Sequence, residues 1–232
     1  MTATATGPGA TGSAGTTTAI VLVTPGPAWD LAVLRREVAA RSAAAGDVRV
    51  EVVGAIDDGP DFGATWRAAV ELHGPADAVD GVLAGLAGLP AGLVDAGSSA
   101  IVVGTDHTVF ERPPAPAADH VRLYYALFRL PGAAQADFSA HWREVHGPAV
   151  LDSPYPRTYQ QLHGDPDRTA AACRKAGFGV DDVAGIAHER FVSPDSLTEA
   201  VADTALDDER ADVLLFSDGS RNRGVLTRPG AA

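Results

Sequence analysis

Residues 111–119 read Glu-Arg-Pro-Pro-Ala-Pro-Ala-Ala-Asp, and three prolines in four positions force a stiff, extended connection. The break falls near the middle of a 232-residue chain. On each side of it the same order of elements can be read.

Residues 19–23 are a short apolar run stopped by Pro25-Gly26-Pro27, which predicts a strand. Over 29–45, Leu31, Leu34 and Val38 recur at helical spacing, with Arg35, Arg36, Glu37 and Arg41 turned outward, until Gly46-Asp47 stops the helix. Strands follow at 48–56 and 64–73. Gly74-Pro75 opens a helix at 76–89, with Asp77 favourable in its first turn, and a strand at 99–110 completes βαββαβ. After the prolines the order recurs. It runs as strand 120–130, helix 134–146 ended by Gly147-Pro148, and strand 156–163. An insert at 165–182 with its own helix near 168–176 is followed by strand 185–192, helix 194–205 and a last strand at 212–216. No residue-level identity links the halves. The order is that of the split-βαβ, ferredoxin-like unit, an α+β arrangement with helices on one face of an antiparallel sheet. The expected organisation is a disordered tail at 1–18, one unit at 19–110, a linker at 111–118, a second unit at 119–217 and a flexible tail at 218–232.

Such a unit leaves its second sheet face bare. On strand 120–130, Val121, Leu123, Tyr125 and Leu127 lie on one side, and Tyr124, Ala126 and Phe128 on the other. Both sides are apolar, so both are buried. Two tandem units whose sheets pair within one chain as an α+β barrel satisfy this. Two separate domains, each dimerising with another chain, would satisfy it too, but the short, stiff linker favours the internal pair.

Hydrophobic residues at 46% and charged residues at 21% suit a globular chain. The net charge of −12 makes an acidic surface that repels phosphate backbones, so neither nucleic acid nor an anionic membrane is expected as a partner. The single cysteine, Cys173, excludes a disulfide scaffold and a Cys-rich zinc site. No apolar run approaches the ~18 residues of a membrane span. No basic start and apolar segment precede residue 19, so a cytoplasmic location is expected. Gly7-x-Gly9-x-x-Gly12 matches a dinucleotide fingerprint formally, but it precedes the first strand, where that motif has no function.

The chemistry concentrates in Phe138-x-x-His141-Trp142-Arg143-x-x-His146-Gly147-Pro148. Phe138, Trp142, Val145 and Ala149 share a helix face, and His146 lies on its border near the helix C-terminus, where the dipole favours the imidazolium. Histidine titrates near neutral pH and suits proton transfer, though a capping role would also explain it. On the next strand, Tyr159, Gln161 and His163 point to one face. A phenol, an amide and an imidazole on a buried face need partners. A pocket between sheet and helices lined by His146, Tyr159, Gln161 and His163 follows, with His188 and Tyr124 as further members. His141 and His146 are five residues apart, which on an α-helix separates them by roughly 140° and prevents a shared metal.

These residues resemble the EthD domain, whose pattern F-x-x-[HY]-W-x-x-x-H-[GA]-P is followed some ten residues on by R-x-Y-x-Q. Here the matching residues are Phe138, Trp142, His146, Gly147 and Pro148, then Arg157, Tyr159 and Gln161. The resemblance covers about residues 119–217; the first half lacks the motif. It implies ferredoxin-like units paired into a barrel of the dimeric α+β barrel superfamily. Relatives in that superfamily include cofactor-free polyketide cyclases, dehydratases, decarboxylases, monooxygenases and lactone isomerases, along with haem proteins. EthD members are linked to oxidative degradation.

No HExxH, no phosphate-binding loop after a strand and no G-x-S-x-G elbow is present. The expectation is a tailoring enzyme without cofactor or metal, acting on a small apolar or aromatic, polyketide-like molecule by proton transfer, cyclisation, dehydration or decarboxylation. His146 would be the acid or base, with Tyr159 and His163 holding the substrate or an enolate oxygen. Tyr124, Phe138, Trp142, Gln161 and His188 would bind substrate. An oxidoreductase or its accessory and a non-catalytic ligand binder are the alternatives. A homodimer of the two-unit chain is compatible with all three.

Overall fold

The computed structural model describes residues 16–112, 120–180 and 182–230. Eight strands close into one antiparallel barrel in the order β1-β3-β2-β8-β5-β7-β6-β4, with β4 returning to β1. The first half supplies β1 (Thr16–Val23), α1 (Leu31–Ala45), β2 (Arg49–Ala55), β3 (Ala68–Pro75), α2 (Ala76–Gly85) and β4 (Ala100–Glu111). The second supplies β5 (Val121–Phe128), α3 (Gln135–His141), α4 (Gly147–Ala149), β6 (Thr158–Gly164), α5 (Pro166–Ala176), β7 (Val183–Phe191), α6 (Pro194–Ala202), α7 (Asp207–Phe216) and β8 (Arg223–Arg228). Each half keeps the ferredoxin-like sheet order, and the two sheets join edge to edge. One seam, β4 to β6, runs from Gly104↔Gly164 to Glu111↔Thr158; the other, β2 to β8, holds only Gly54↔Arg228 and Ala55↔Thr227. The barrel closes within one chain, so no partner is required to cover either edge.

Closure explains the doubly apolar strand. Tyr124, Ala126 and Phe128 point into the barrel with Ile20, Leu22, Val102, Leu162 and Ile186. Leu123 and Leu127 face outward beneath helices. Local signals set the helix starts. Asp30 accepts from the N–H groups of Ala32 and Val33, Asp165 from that of Arg168, and Ser193 from that of Ser196, with Pro166 and Pro194 at the first helical positions of α5 and α6.

Three expectations are corrected. The last strand is β8 at Arg223–Arg228, not 212–216, which lies inside α7. Asp207, Asp208 and Glu209 form the acidic first turn that favours a helix start there. The stretch from 218 on therefore holds a fully integrated strand rather than a flexible tail. Gly147-Pro148 does not end the helix begun at 135: a π-helical turn, Trp142–His146, carries it into α4. The proposed tail at 1–18 and linker at 111–118 fall mostly outside the described residues; Thr16–Thr18 belong to β1 and Glu111 to β4.

Candidate functional site

The outer faces of β5, β6 and β7 form the floor of a cavity of about 370 Å³, roofed by the π turn, α6 and α7. Its lining is mostly apolar and includes Leu123, Leu127, Phe191, Leu197 and Val213, with a few polar groups among them. Trp142, His146, Tyr159, Glu189 and Glu209 all line it.

The π turn arises from the Gly-Pro pair. Pro148 has no N–H, and its ring would press on the carbonyl four residues back. The turn widens by one residue, and the Gly147 N–H donates to the carbonyl of Trp142, five residues earlier. Gln161 Nε2 donates to that same carbonyl at 2.9 Å. A Cβ on Gly147 would sit 3.3 Å from that amide nitrogen, which makes glycine the fitting residue there. Widening brings residues five apart into line, and this overturns the expected 140° divergence. His141 Nε2–H and His146 Nδ1–H each donate to Asp212, at 2.9 Å and 2.9 Å, one to each carboxylate oxygen. Among the described residues no cluster of three metal-ligating side chains is formed.

Because Asp212 holds the proton on Nδ1, His146 Nε2 is the lone-pair nitrogen, and it has no hydrogen-bond partner among the described residues. Burial pushes the His146 imidazole below its usual value; Asp212 opposes that shift and His141 adds to it. The helix-end effect expected from sequence, which would raise it, does not prevail.

Tyr159 Oη accepts from Trp142 Nε1 at 2.8 Å and from Gln161 Nε2 at 3.4 Å. These two contacts use the oxygen as acceptor and leave the phenol proton unspent. Burial first, then the Glu189 charge, raises the Tyr159 pKa and keeps it a phenol. Glu189 stands directly across from Tyr159 on the neighbouring strand. Burial, then the charge of Glu209, pushes its carboxyl up to about 7, so near neutral pH it is half protonated. Glu209 is itself raised, by burial first.

His163 does not line the cavity. It lies behind the indole of Trp142, with ring centroids 4.7 Å apart, and donates from Nε2 to Gln161 Oε1 at 3.1 Å. Burial and the charge of Arg143 push it down to about 4. Gln161 is fully buried and Phe138 packs on Trp142 and Phe216, so these two also stand behind the lining rather than in it. Gly185 lets the indole lie on the sheet: a Cβ there would meet Trp142 Cζ3 at 2.5 Å.

Tyr124 and His188 are elsewhere. Both point into the barrel, stacked with centroids 4.7 Å apart, and Tyr124 Oη–H donates a short hydrogen bond to Glu71. The barrel wall separates them from His146. The expected pocket is thus two places, and sequence reasoning assigned no role to Glu189, Glu209, Asp212 or Glu71. For Glu189 a signal was present: a lone acid on the β7 face that also carries Ala187 and Phe191. For Asp212 there was none, because the residue was read into a strand.

Residues 130–220 match the EthD domain. No curated protein matches the sequence. Similar solved structures span nearly the whole chain at low identity. An anthrone oxidase-like protein is 12% identical with a TM-score of 0.61, covering 94% of this chain and 92% of its own. A putative monooxygenase from Fusobacterium nucleatum is 7% identical with a TM-score of 0.51, covering 94% and 93%. A chlorite dismutase variant from Candidatus Nitrospira defluvii is 14% identical with a TM-score of 0.53, covering 92% and 92%. These likenesses establish a shared two-unit α+β barrel fold.

Proposed function

We propose that the second half of the chain binds a small, largely apolar, neutral molecule and moves a proton on it. The observation that carries this reading is the convergence of three groups on one greasy cavity. They are an imidazole with a free Nε2 backed by a carboxylate, a phenol with a free proton, and a carboxyl poised near 7. His146 Nε2 removes a proton from carbon, the C–H electron pair moves onto the adjoining carbonyl, and Tyr159 and Glu189 donate to the oxygen that gains charge. Enolisation of this kind begins cyclisation, dehydration and decarboxylation alike. Glu189 and Glu209 line the cavity, and the lining arginine, Arg210, is already paired with Asp207, which disfavours an anionic substrate. Gln161, His163 and Phe138 hold Trp142 and Tyr159 in place, a positioning rather than a contacting role. The reading requires no cofactor.

A second reading follows from the anthrone oxidase-like and monooxygenase descriptions of structurally similar proteins. The carbanion left by His146 is also a species that molecular oxygen, as co-reactant, could oxidise.

Deuterium uptake from heavy water into anthrone or 2-tetralone, followed by NMR under nitrogen, tests the first reading without knowledge of the product. The wild-type chain accelerates exchange, and His146→Ala lowers the rate by ~10²–10⁴-fold while ligand affinity is kept. Equal exchange by both proteins removes His146 as the base. Binding without exchange makes the chain a ligand-holding protein. Oxygen consumption in air, dependent on the same histidine, adds the second reading.

The ionisations set the pH profile. His146 must be neutral, so activity rises through a pKa below 6.5; Glu189 must be protonated, so activity falls above about 7.

A further inference from the structure

The barrel interior is divided. One end is packed with Ile20, Leu22, Trp66, Val102, Phe128 and Leu162. The other end is a cup of about 250 Å³ whose lining contains no aliphatic or aromatic hydrocarbon side chain. It is made from Arg49, Glu51, Glu71, His73, Thr108, Glu111, Arg122, Thr158, Gln160, His188 and Arg190, which come from six strands of both halves. At roughly 30 Å³ per water, that is room for about eight waters or one small metabolite.

The floor of the cup is saturated with contacts to one carboxylate. Glu71 accepts from Tyr124 and from Arg122 Nη1 at 3.3 Å, lies 3.3 Å from His188 Nε2, and lies 3.4 Å from His73 Nε2. Its pKa is held well below the usual carboxylate range by His188, His73, Tyr124 and Arg122 against the cost of burial. Arg122 also binds Glu51 at 2.8 Å. The mouth is different. Arg49 and Arg190 line it and make no side-chain hydrogen bond or ion pair with any described residue. Between mouth and floor, Arg122 Nε lacks a hydrogen-bond partner among the described residues, although Arg122 is only 8% exposed. Buried donors of this kind are costly to leave unmade. The lining sets three guanidiniums, Arg49, Arg122 and Arg190, against three carboxylates, Glu51, Glu71 and Glu111; Arg122 takes up Glu51 and Glu71, which leaves Arg49 and Arg190 for an added anion in a chain of net charge −12.

We propose that this cup is a second ligand site, separate from the cavity under the second half's helices, and that it takes a small, hydroxyl-bearing organic carboxylate. The carboxylate pairs with Arg190 and Arg49, whose planar forks suit two-point recognition. The hydroxyl reaches Thr158 and Gln160 in the wall. Glu71 repels a second anion from the floor and so sets the ligand's direction. An apolar molecule of the kind suited to the first cavity finds no apolar wall here.

Isothermal titration calorimetry of the whole chain with malate at pH 7 and low salt tests the site, with Arg190→Gln and Arg49→Gln as variants and inorganic phosphate as the comparison anion. The expected result is saturable one-to-one binding, weakened at least tenfold by Arg190→Gln and several-fold by Arg49→Gln, with phosphate weaker than malate. Circular dichroism checks that both variants fold; if Arg190→Gln does not, Arg49→Gln on the exposed end of β2 decides. No binding by the wild-type chain, wild-type affinity in the folded variants, or phosphate binding as tightly as malate would each overturn the proposal.

Discussion

The two halves of the barrel share an element order and differ in what lies between sheet and helices. In the first half the outer sheet face carries Ala19, Val21, Val23, Val70, Leu72, Ile101 and Val103, and α1 and α2 close on it with Leu34, Val38, Val79, Val82 and Leu83. The insert then adds α5, whose Ala172, Cys173 and Ala176 join that cluster with Phe178. Thr169 and Cys173 fix α5 to β4 through the carbonyls of Val103 and Ile101. The insert belongs to the second half in sequence and completes the first half in space. In the second half the same face carries Tyr159, Gln161, His163 and Glu189, whose polar atoms cannot be packed against aliphatic groups without loss. Trp142 meets Tyr159 and Gln161 through hydrogen bonds, the helices stand off from Glu189, and the space left over is the cavity. One order of elements thus gives a solid half and a hollow half, and the outward-facing strand residues decide which is which.

The largest expected difference is in stability. Leu83→Ala removes a fully buried side chain from the solid half and is expected to cost about 2–5 kcal/mol in urea unfolding. An equal loss for Leu214→Ala, on the half-exposed rim of the cavity, would show that the hollow half is packed as tightly and would break the comparison.

Filling the hollow comes next. Ala187 lies on the cavity floor and is nearly buried. Ala187→Phe is expected to lower affinity for an aromatic ligand by at least tenfold, about 1.4 kcal/mol, while thermal stability falls little or rises. If affinity is unchanged, the ligand binds elsewhere.

Glu189→Gln separates the halves by pH. In the folded chain Glu189 titrates at about 7, against an ordinary value of 4.5. The folded state therefore holds a proton that the unfolded chain has released, and stability falls as pH rises from 4.5 through about 7. The accumulated cost at pH 8 is up to about 3 kcal/mol, reduced by whatever water enters the cavity. Glu189→Gln carries no such term, so its melting temperature is expected to match wild type at pH 4 and exceed it at pH 8. A constant offset across that range would mean that Glu189 is solvated and ionised throughout.

The solid half was the more legible one, and the reason is physical. Val21, Leu34, Val38, Val70 and Val103 follow the strand and helix periods, and periodic burial is what sequence patterns report. The polar half was legible only as a motif: His146, Trp142 and Tyr159 were picked out, but their geometry rests on a π turn that the Gly147-Pro148 pair disguises as a helix stop. Asp212-Val213-Leu214-Leu215-Phe216 reads as a strand because five residues with four large apolar side chains carry no helical stripe. The acidic turn at Asp207–Glu209 was the better guide, and the displaced strand sits in Arg223–Arg228, behind a polar, glycine-containing turn. Tyr124 and His188 were assigned to the wrong space for a related reason. When both faces of a strand are buried, composition cannot say which face looks at helices and which into a barrel.

The smallest effect probes how the hollow half is closed. Leu214 and Leu215 on α7 are 57% and 67% exposed, yet only Leu214 lines the cavity. Neither is part of a core cluster, so Leu214→Ser and Leu215→Ser should each shift unfolding free energy by no more than ~0.5 kcal/mol. Ligand affinity should tell them apart. A bound apolar molecule covers the inner side of Leu214 and gains its burial, so Leu214→Ser is expected to weaken an aromatic ligand about two- to fivefold through a faster off-rate. Leu215→Ser should leave the affinity as it was, because that side chain faces away from the hollow. Equal effects of the two substitutions would mean that α7 moves as a unit when ligand binds, and that the hollow half is closed by a shifting helix rather than by the side chains that line it.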